Sequence, residues 1–152
     1  MLGSSSLLAT VGNLGEPGQP LEFSYDADVL IRPIDEEGAQ ILNEAVGQES
    51  FFSKRHGYYA DILRPEIVET LPAGWESRAV AVPIEGASAL NPYDLAIVKL
   101  VLGREKDLAL LKALLENSIM DPFRLREHYQ SIPLPESDST QAGRNLARVL
   151  SQ

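Results

Sequence analysis

The spacing of apolar residues changes period near residue 90, and that change constrains the fold more than any other feature of the chain. Before it, short aromatic or β-branched runs are separated by turn residues. FSYDADVLIR (23–32), YYADIL (58–63) and ESRAVAVPI (76–84) read as strands, with Pro83 marking an edge or an end. A Leu- and Ala-rich stretch over 4–11 reads as a short helix, and GNLGEPGQP (12–20) as a loop. Residues 34–46 read as a helix with Asp35 at its N-cap and Gly47 as its stop.

After residue 90 the leucines recur at helical spacing. Asn91-Pro92 opens a helix to Leu102, Gly103 breaks it, and 105–117 forms another with Leu108, Leu111, Leu114 and Leu115 inward. Asp121-Pro122 opens a third that reaches Tyr129. Residues 132–140 read as a linker and 141–150 as a last amphipathic helix. Strands early and helices late predict an α+β fold. Strands near 26–32, 58–63 and 78–84 are expected in one small mixed β-sheet, with helices on it and a helical C-terminal half. Residues 1–131 are expected as the domain, and 132–152 as linker and C-terminal helix.

Charge is distributed unevenly. The net charge is −9, from 13 basic and 22 acidic residues. Residues 1–50 hold nine of the acids and one base, Arg32, a balance of −8; the remainder holds 13 acids and 12 bases, a balance of −1. An acidic first third argues against duplex DNA, which needs Lys and Arg to displace counterions. It suits a divalent cation, or solubility alone. With no cysteine there is no disulfide framework, thiolate metal site or cysteine nucleophile. No apolar run is long enough to span a bilayer, and the N-terminus lacks the pattern of a signal peptide, so the expectation is a cytoplasmic protein without membrane partners.

Three places carry candidate chemistry. In Asp26-Ala27-Asp28, strand alternation turns both carboxylates to one face. Two such groups repel unless a cation or solvent lies between them, and Mg2+ suits a few carboxylates plus water and phosphate oxygens. The plain alternative is a solvated strand face. Asp61, inside YYADIL, is flanked by apolar surface, and an unpaired buried carboxylate is costly. It therefore sits at an exposed edge, pairs with Arg64 or Arg78, or joins Asp26 and Asp28 at a cation. In DLAIVKLVLGREKD (94–107), Lys99, Arg104 and Lys106 lie at a helix–Gly–helix junction beside Asp107. They either meet phosphates or form local surface pairs. A triphosphate brings more negative charge than its metals neutralise. On that ground Lys99 and Lys106 are expected to face the D-x-D strand across a cleft, with Arg104 and Asp107 in structural pairs. Trp75 reads as core, and His56 and His128 as surface residues.

Taken in order, these pieces resemble the MNT-like nucleotidyltransferases of the DNA polymerase beta superfamily. The resemblance is nearest to a bacterial branch related to the nucleotidyltransferase toxins of abortive-infection toxin–antitoxin pairs. The motifs that carry it are Gly3-Ser4, Asp26-Ala27-Asp28, LPAGWESR (71–78) and DLAIVKLVLGREKD (94–107), over roughly residues 1–130. The resemblance implies Mg2+-dependent transfer of a nucleoside monophosphate from a nucleoside triphosphate to an RNA, protein or small-molecule acceptor. It implies Asp26 and Asp28 on the metal, Asp61 as the third catalytic carboxylate, and Gly3 and Ser4 gripping the triphosphate. A glycine lets the backbone approach phosphate closely, and Ser4 offers a hydroxyl. Two features differ from the family pattern: Met1 and Leu2 alone precede the Gly-Ser pair, and the gap to Asp26 is long and glycine-rich. The expectation is then a missing first helix and strand, or a degenerate turn. The alternative function is a catalytically degenerate nucleotidyltransferase-fold binding protein, or the partner of a cognate antitoxin-like protein.

Overall fold

A computed structural model describes residues 1–151. The fold is α+β, and the chain forms two compact units, one of residues 1–70 with 79–90, the other of 71–78 with 91–152.

In the first unit, α1 (Ser5–Thr10) precedes a loop pinned by buried Leu14 and Leu21. Strand β1 (Asp26–Val29) pairs in parallel with β2 (Tyr59–Ile62). A parallel pair needs a crossover, and α2 (Glu36–Val46) with α3 (Phe51–His56) supplies it. Helix α2 begins as its sequence demands, with the Asp35 carboxylate accepting from the Gly38 amide at 2.8 Å. The Asn43 side chain accepts from the Ile62 amide, tying α2 to β2. A 3-10 turn (Pro65–Thr70) follows. A second ladder is antiparallel, β3 (Val80–Ala81) with β4 (Ser88–Ala89). The first two residues join the ladders: the Leu2 amide donates to the Asp28 carbonyl, and the Met1 carbonyl accepts from the Leu90 amide, each at 2.9 Å.

The sheet therefore differs from the single mixed one expected: the strands form two separate two-stranded ladders. The third strand is also shorter. Residues 75–78 instead form a helical turn, α4 (Trp75–Arg78), entered through Gly74 at φ +75°. Arg78 anchors that turn by donating to the Ala73 carbonyl and to Asp94.

The second unit is helical: α5 (Pro92–Leu102), α6 (Glu105–Glu116), α7 (Pro122–Ser131) and α8 (Glu136–Leu150). Its core is built from Leu95, Ile97 and Leu100 of α5, Leu111 and Leu114 of α6, Leu125 of α7, and Ala142 and Leu146 of α8. Gly103 ends α5 at φ +63°, and a Cβ there would lie 2.6 Å from Asn145 Nδ2. The same Asn145 amide donates to the Leu100 carbonyl at 2.7 Å, one of the carbonyls a helix end leaves without an internal partner. Helix α8 starts five residues earlier than its apolar stripe suggests. Glu136 and Asp138 lie in its first turn, where acidic side chains complement the helix dipole.

Candidate functional site

The register of the parallel pair decides what the acidic motif can do. Asp26 lies opposite Tyr59, and Asp28 opposite Asp61. Aligned residues of a parallel pair point the same way, so Asp26, Asp28, Tyr59 and Asp61 share one face of the ladder. Asp26 is exposed, while Asp28 and Asp61 are half-buried. The Tyr59 phenol is held above its ordinary value of 10.0, by desolvation first and then by the negative charges of Asp26, Asp61 and Asp28. Arg78, one of the partners considered for Asp61, is instead engaged with Asp94.

Gly3 lies against this face. A Cβ built on it would fall on the Asp28 carboxylate, 2.6 Å from Cγ. Ser4 follows as the N-cap of α1 without a capping side-chain bond. The Gly-Ser pair and the D-x-D strand are thus neighbours, brought together by the bond from the Leu2 amide to the Asp28 carbonyl. The donor set of Asp26, Asp28 and Asp61 is all hard oxygen, of the kind Mg2+ takes. Among the described residues, no three His, Asp or Glu side chains close into a ready-made ligand cluster.

A cavity of about 540 Å³ opens at the N-terminal ends of β1 and β2, with Asp26 on its wall. A larger one of about 860 Å³ lies between α2 and the 3-10 turn. It is lined by Asp35, Glu36, Glu44, Glu49 and Glu66 against Arg64 and includes none of Gly3, Ser4, Asp26, Asp28 and Asp61.

Lys99 and Lys106 belong to the second unit. Lys99 is 6% exposed, and its ammonium donates to Asp107 Oδ1 at 2.7 Å. The second Asp107 oxygen accepts from Arg104 Nε, so the structural pair expected at the Gly103 break exists and Lys99 is part of it. Lys106 is exposed.

A second polar cluster went unread in the sequence. Asp94 is fully buried and accepts from Arg78 Nε at 2.9 Å and from Arg78 Nη2 at 2.9 Å. His128 Nε2 lies 2.8 Å from Asp94 Oδ1, so His128 is not the free surface residue expected; His56 is exposed. A pocket of about 340 Å³ beside the cluster is lined by Arg78, Tyr93, Arg124, Glu127 and His128, among others. The signal available was Asp94 itself, an acid in the first turn of a helix whose next residues are all apolar. The two long motifs, LPAGWESR and DLAIVKLVLGREKD, are therefore tied by an ion pair between the last residue of one and the first of the other.

None of the described helices is long and apolar enough to cross a membrane. Comparison with protein-family models, with curated proteins and with solved structures finds no match for this chain.

Proposed function

We propose that the face carrying Asp26, Asp28 and Asp61 is a Mg2+-dependent nucleotidyl-transfer centre, with a nucleoside triphosphate as donor. The observation that carries this reading is the in-register pairing of Asp28 with Asp61, with Gly3 packed on the Asp28 carboxylate. Mg2+ is commonly held by one or two carboxylates, its other positions going to water and substrate phosphates, so the Asp26–Asp28 pair suffices. Such an ion would neutralise phosphate charge and help align in-line attack of the acceptor hydroxyl on the α-phosphorus, whose bond to the bridging oxygen breaks as pyrophosphate leaves.

The chain's own residues have separate tasks. Asp26 and Asp28 hold the cation. Asp61, one strand over and half-buried, accepts the proton of the attacking hydroxyl or joins the ligand set. Gly3 leaves the backbone open to close approach, and the Ser4 hydroxyl donates to a phosphate oxygen. The acceptor is an RNA, a protein or a small molecule, and a cytoplasmic setting suits such a reaction. In the second unit, Lys106 is exposed on α6, and Lys99 donates to Asp107.

The test is incubation of the full chain with each α-labelled nucleoside triphosphate and Mg2+, in the presence of total RNA and protein. Label is expected on one acceptor class, and its loss is expected in Asp28→Asn. Absence of transfer together with absence of metal-dependent triphosphate binding overturns the reading. Metal-dependent binding without transfer supports instead a degenerate binding protein.

A further inference from the structure

The pocket beside Asp94 lies wholly within the second unit. Its volume of about 340 Å³ is at the lower end of the range that small-molecule sites occupy. Part of its wall is fixed from behind. The fully buried Asp94 carboxylate holds Arg78 through Nε and Nη2, and His128 through Nε2. Because Asp94 Oδ1 accepts from Arg78 as well, Nε2 is the donor to it, which leaves Nδ1 as the acceptor of the neutral imidazole. That Nδ1 has no partner among the described residues and is not one of the fully buried atoms lacking one, so it reaches solvent.

Two opposite charges line the same pocket and are unspent. Arg124 lies over the Tyr93 ring, 5.5 Å from its centroid, and has no acidic partner among the described residues. Glu127, exposed and three residues further along α7, has no basic partner among them. Side chains three apart on a helix are neighbours, with about 5–6 Å between Cβ atoms, and an Arg–Glu pair so placed can close on itself. Here it stays open, with the phenol ring holding the guanidinium and both side chains on the pocket wall.

We infer that this pocket binds a free α-amino acid as its zwitterion. The carboxylate meets the Arg124 guanidinium, whose fork matches it, and the ammonium donates to Glu127 and to His128 Nδ1. A simple anion fits less well. Arg78 is already paired with Asp94, so a phosphate would face Arg124 alone, with Glu127 opposing it. A simple cation meets the converse, Glu127 attracting it and Arg124 opposing. The ligand that uses both side chains is small and carries both charges on one carbon. Binding here does not depend on the metal reading of Asp26 and Asp28.

The experiment is calorimetric titration of the full chain at neutral pH, without metal, with each of the common L-α-amino acids in turn. Propionate, ethylamine and inorganic phosphate are the controls. At least one amino acid is expected to saturate at millimolar concentration while no control does. Arg124→Gln and Glu127→Gln are each expected to weaken binding about tenfold, the worth of one charge-assisted hydrogen bond. Both alter exposed side chains, and circular dichroism checks that each variant folds; were one to unfold, the other would still decide. No amino-acid binding, or binding that neither variant weakens, overturns the inference. Propionate or phosphate binding as tightly as any amino acid also overturns it, leaving Arg124 as an anion contact alone.

Discussion

Gly3 and the Asp28 carboxylate occupy adjoining space so closely that no side chain fits between them. Gly3→Ala must therefore displace the Asp28 side chain or the backbone around it. Overpacking of this kind costs about 1–3 kcal/mol. In urea unfolding, Gly3→Ala is expected to be destabilised by that amount, and Asp28→Gly to relieve most of it in the double variant. Strictly additive effects would mean that the two residues do not compete for the same space.

Metal binding has a readout that needs no substrate. A ligand that binds the folded chain alone raises its melting temperature by mass action. Millimolar Mg2+ or Mn2+ is expected to raise it, and the double change Asp26→Asn with Asp28→Asn to remove the rise. Asp61→Asn is expected to reduce it less, because Asp61 lies on the neighbouring strand, outside the D-x-D pair. A melting temperature indifferent to metal leaves these carboxylates as a solvated strand face.

Asp94 stabilises the second unit by serving two partners from a fully buried position. Removing one side of a buried ionic cluster costs about 3–5 kcal/mol, because the remaining charge loses its partner. Asp94→Ala is expected to show a loss in that range, shared with Arg78, whose side chain is 29% exposed and so partly solvated. His128→Ala removes one hydrogen bond and is expected to cost about 1 kcal/mol. Guanidinium unfolding orders the variants; His128→Ala as the more damaging change would contradict this account of the cluster.

Local signals were legible in the sequence, and long-range ones were not. The Asp35 cap, the Gly47 stop, the Asn91-Pro92 start and the Gly103 break all act within a turn of themselves, and each lies where the sequence reading puts it. Alternation likewise assigns Asp26 and Asp28 to one face. Alternation cannot supply the pairing of Asp28 with Asp61, because register depends on which strands meet. The same limit hid His128, whose partner Asp94 lies 34 residues away. Residues 76–78 read as strand by composition, yet the Arg78–Asp94 pair holds them in a helical turn, a tertiary contact overriding local preference. The start of α8 was hidden for another reason: Ser, Asp and Pro suit a linker and a helix N-terminus equally well.

The ion cluster at the α5–α6 junction makes the second unit acid-sensitive. Burial pushes the Asp107 carboxyl up, but hydrogen bonds from Arg104 and Lys99, and their positive charges, outweigh it and hold the group below its ordinary 3.8. A carboxyl that is more acidic in the folded chain than in the unfolded one stabilises the fold above pH 3.8, and that contribution is lost as pH falls through its folded value. At pH 7, Asp107→Asn is expected to be less stable than the parent by about 3–5 kcal/mol, since it leaves Lys99 buried without its counter-charge. As the pH is lowered below 3.8, protonation brings the parent towards the variant, so the gap between their melting temperatures narrows. Thermal unfolding of both at pH 7 and near pH 3 measures that gap. A gap that stays constant or widens in acid would mean that the charge on Asp107 contributes nothing to holding the junction together.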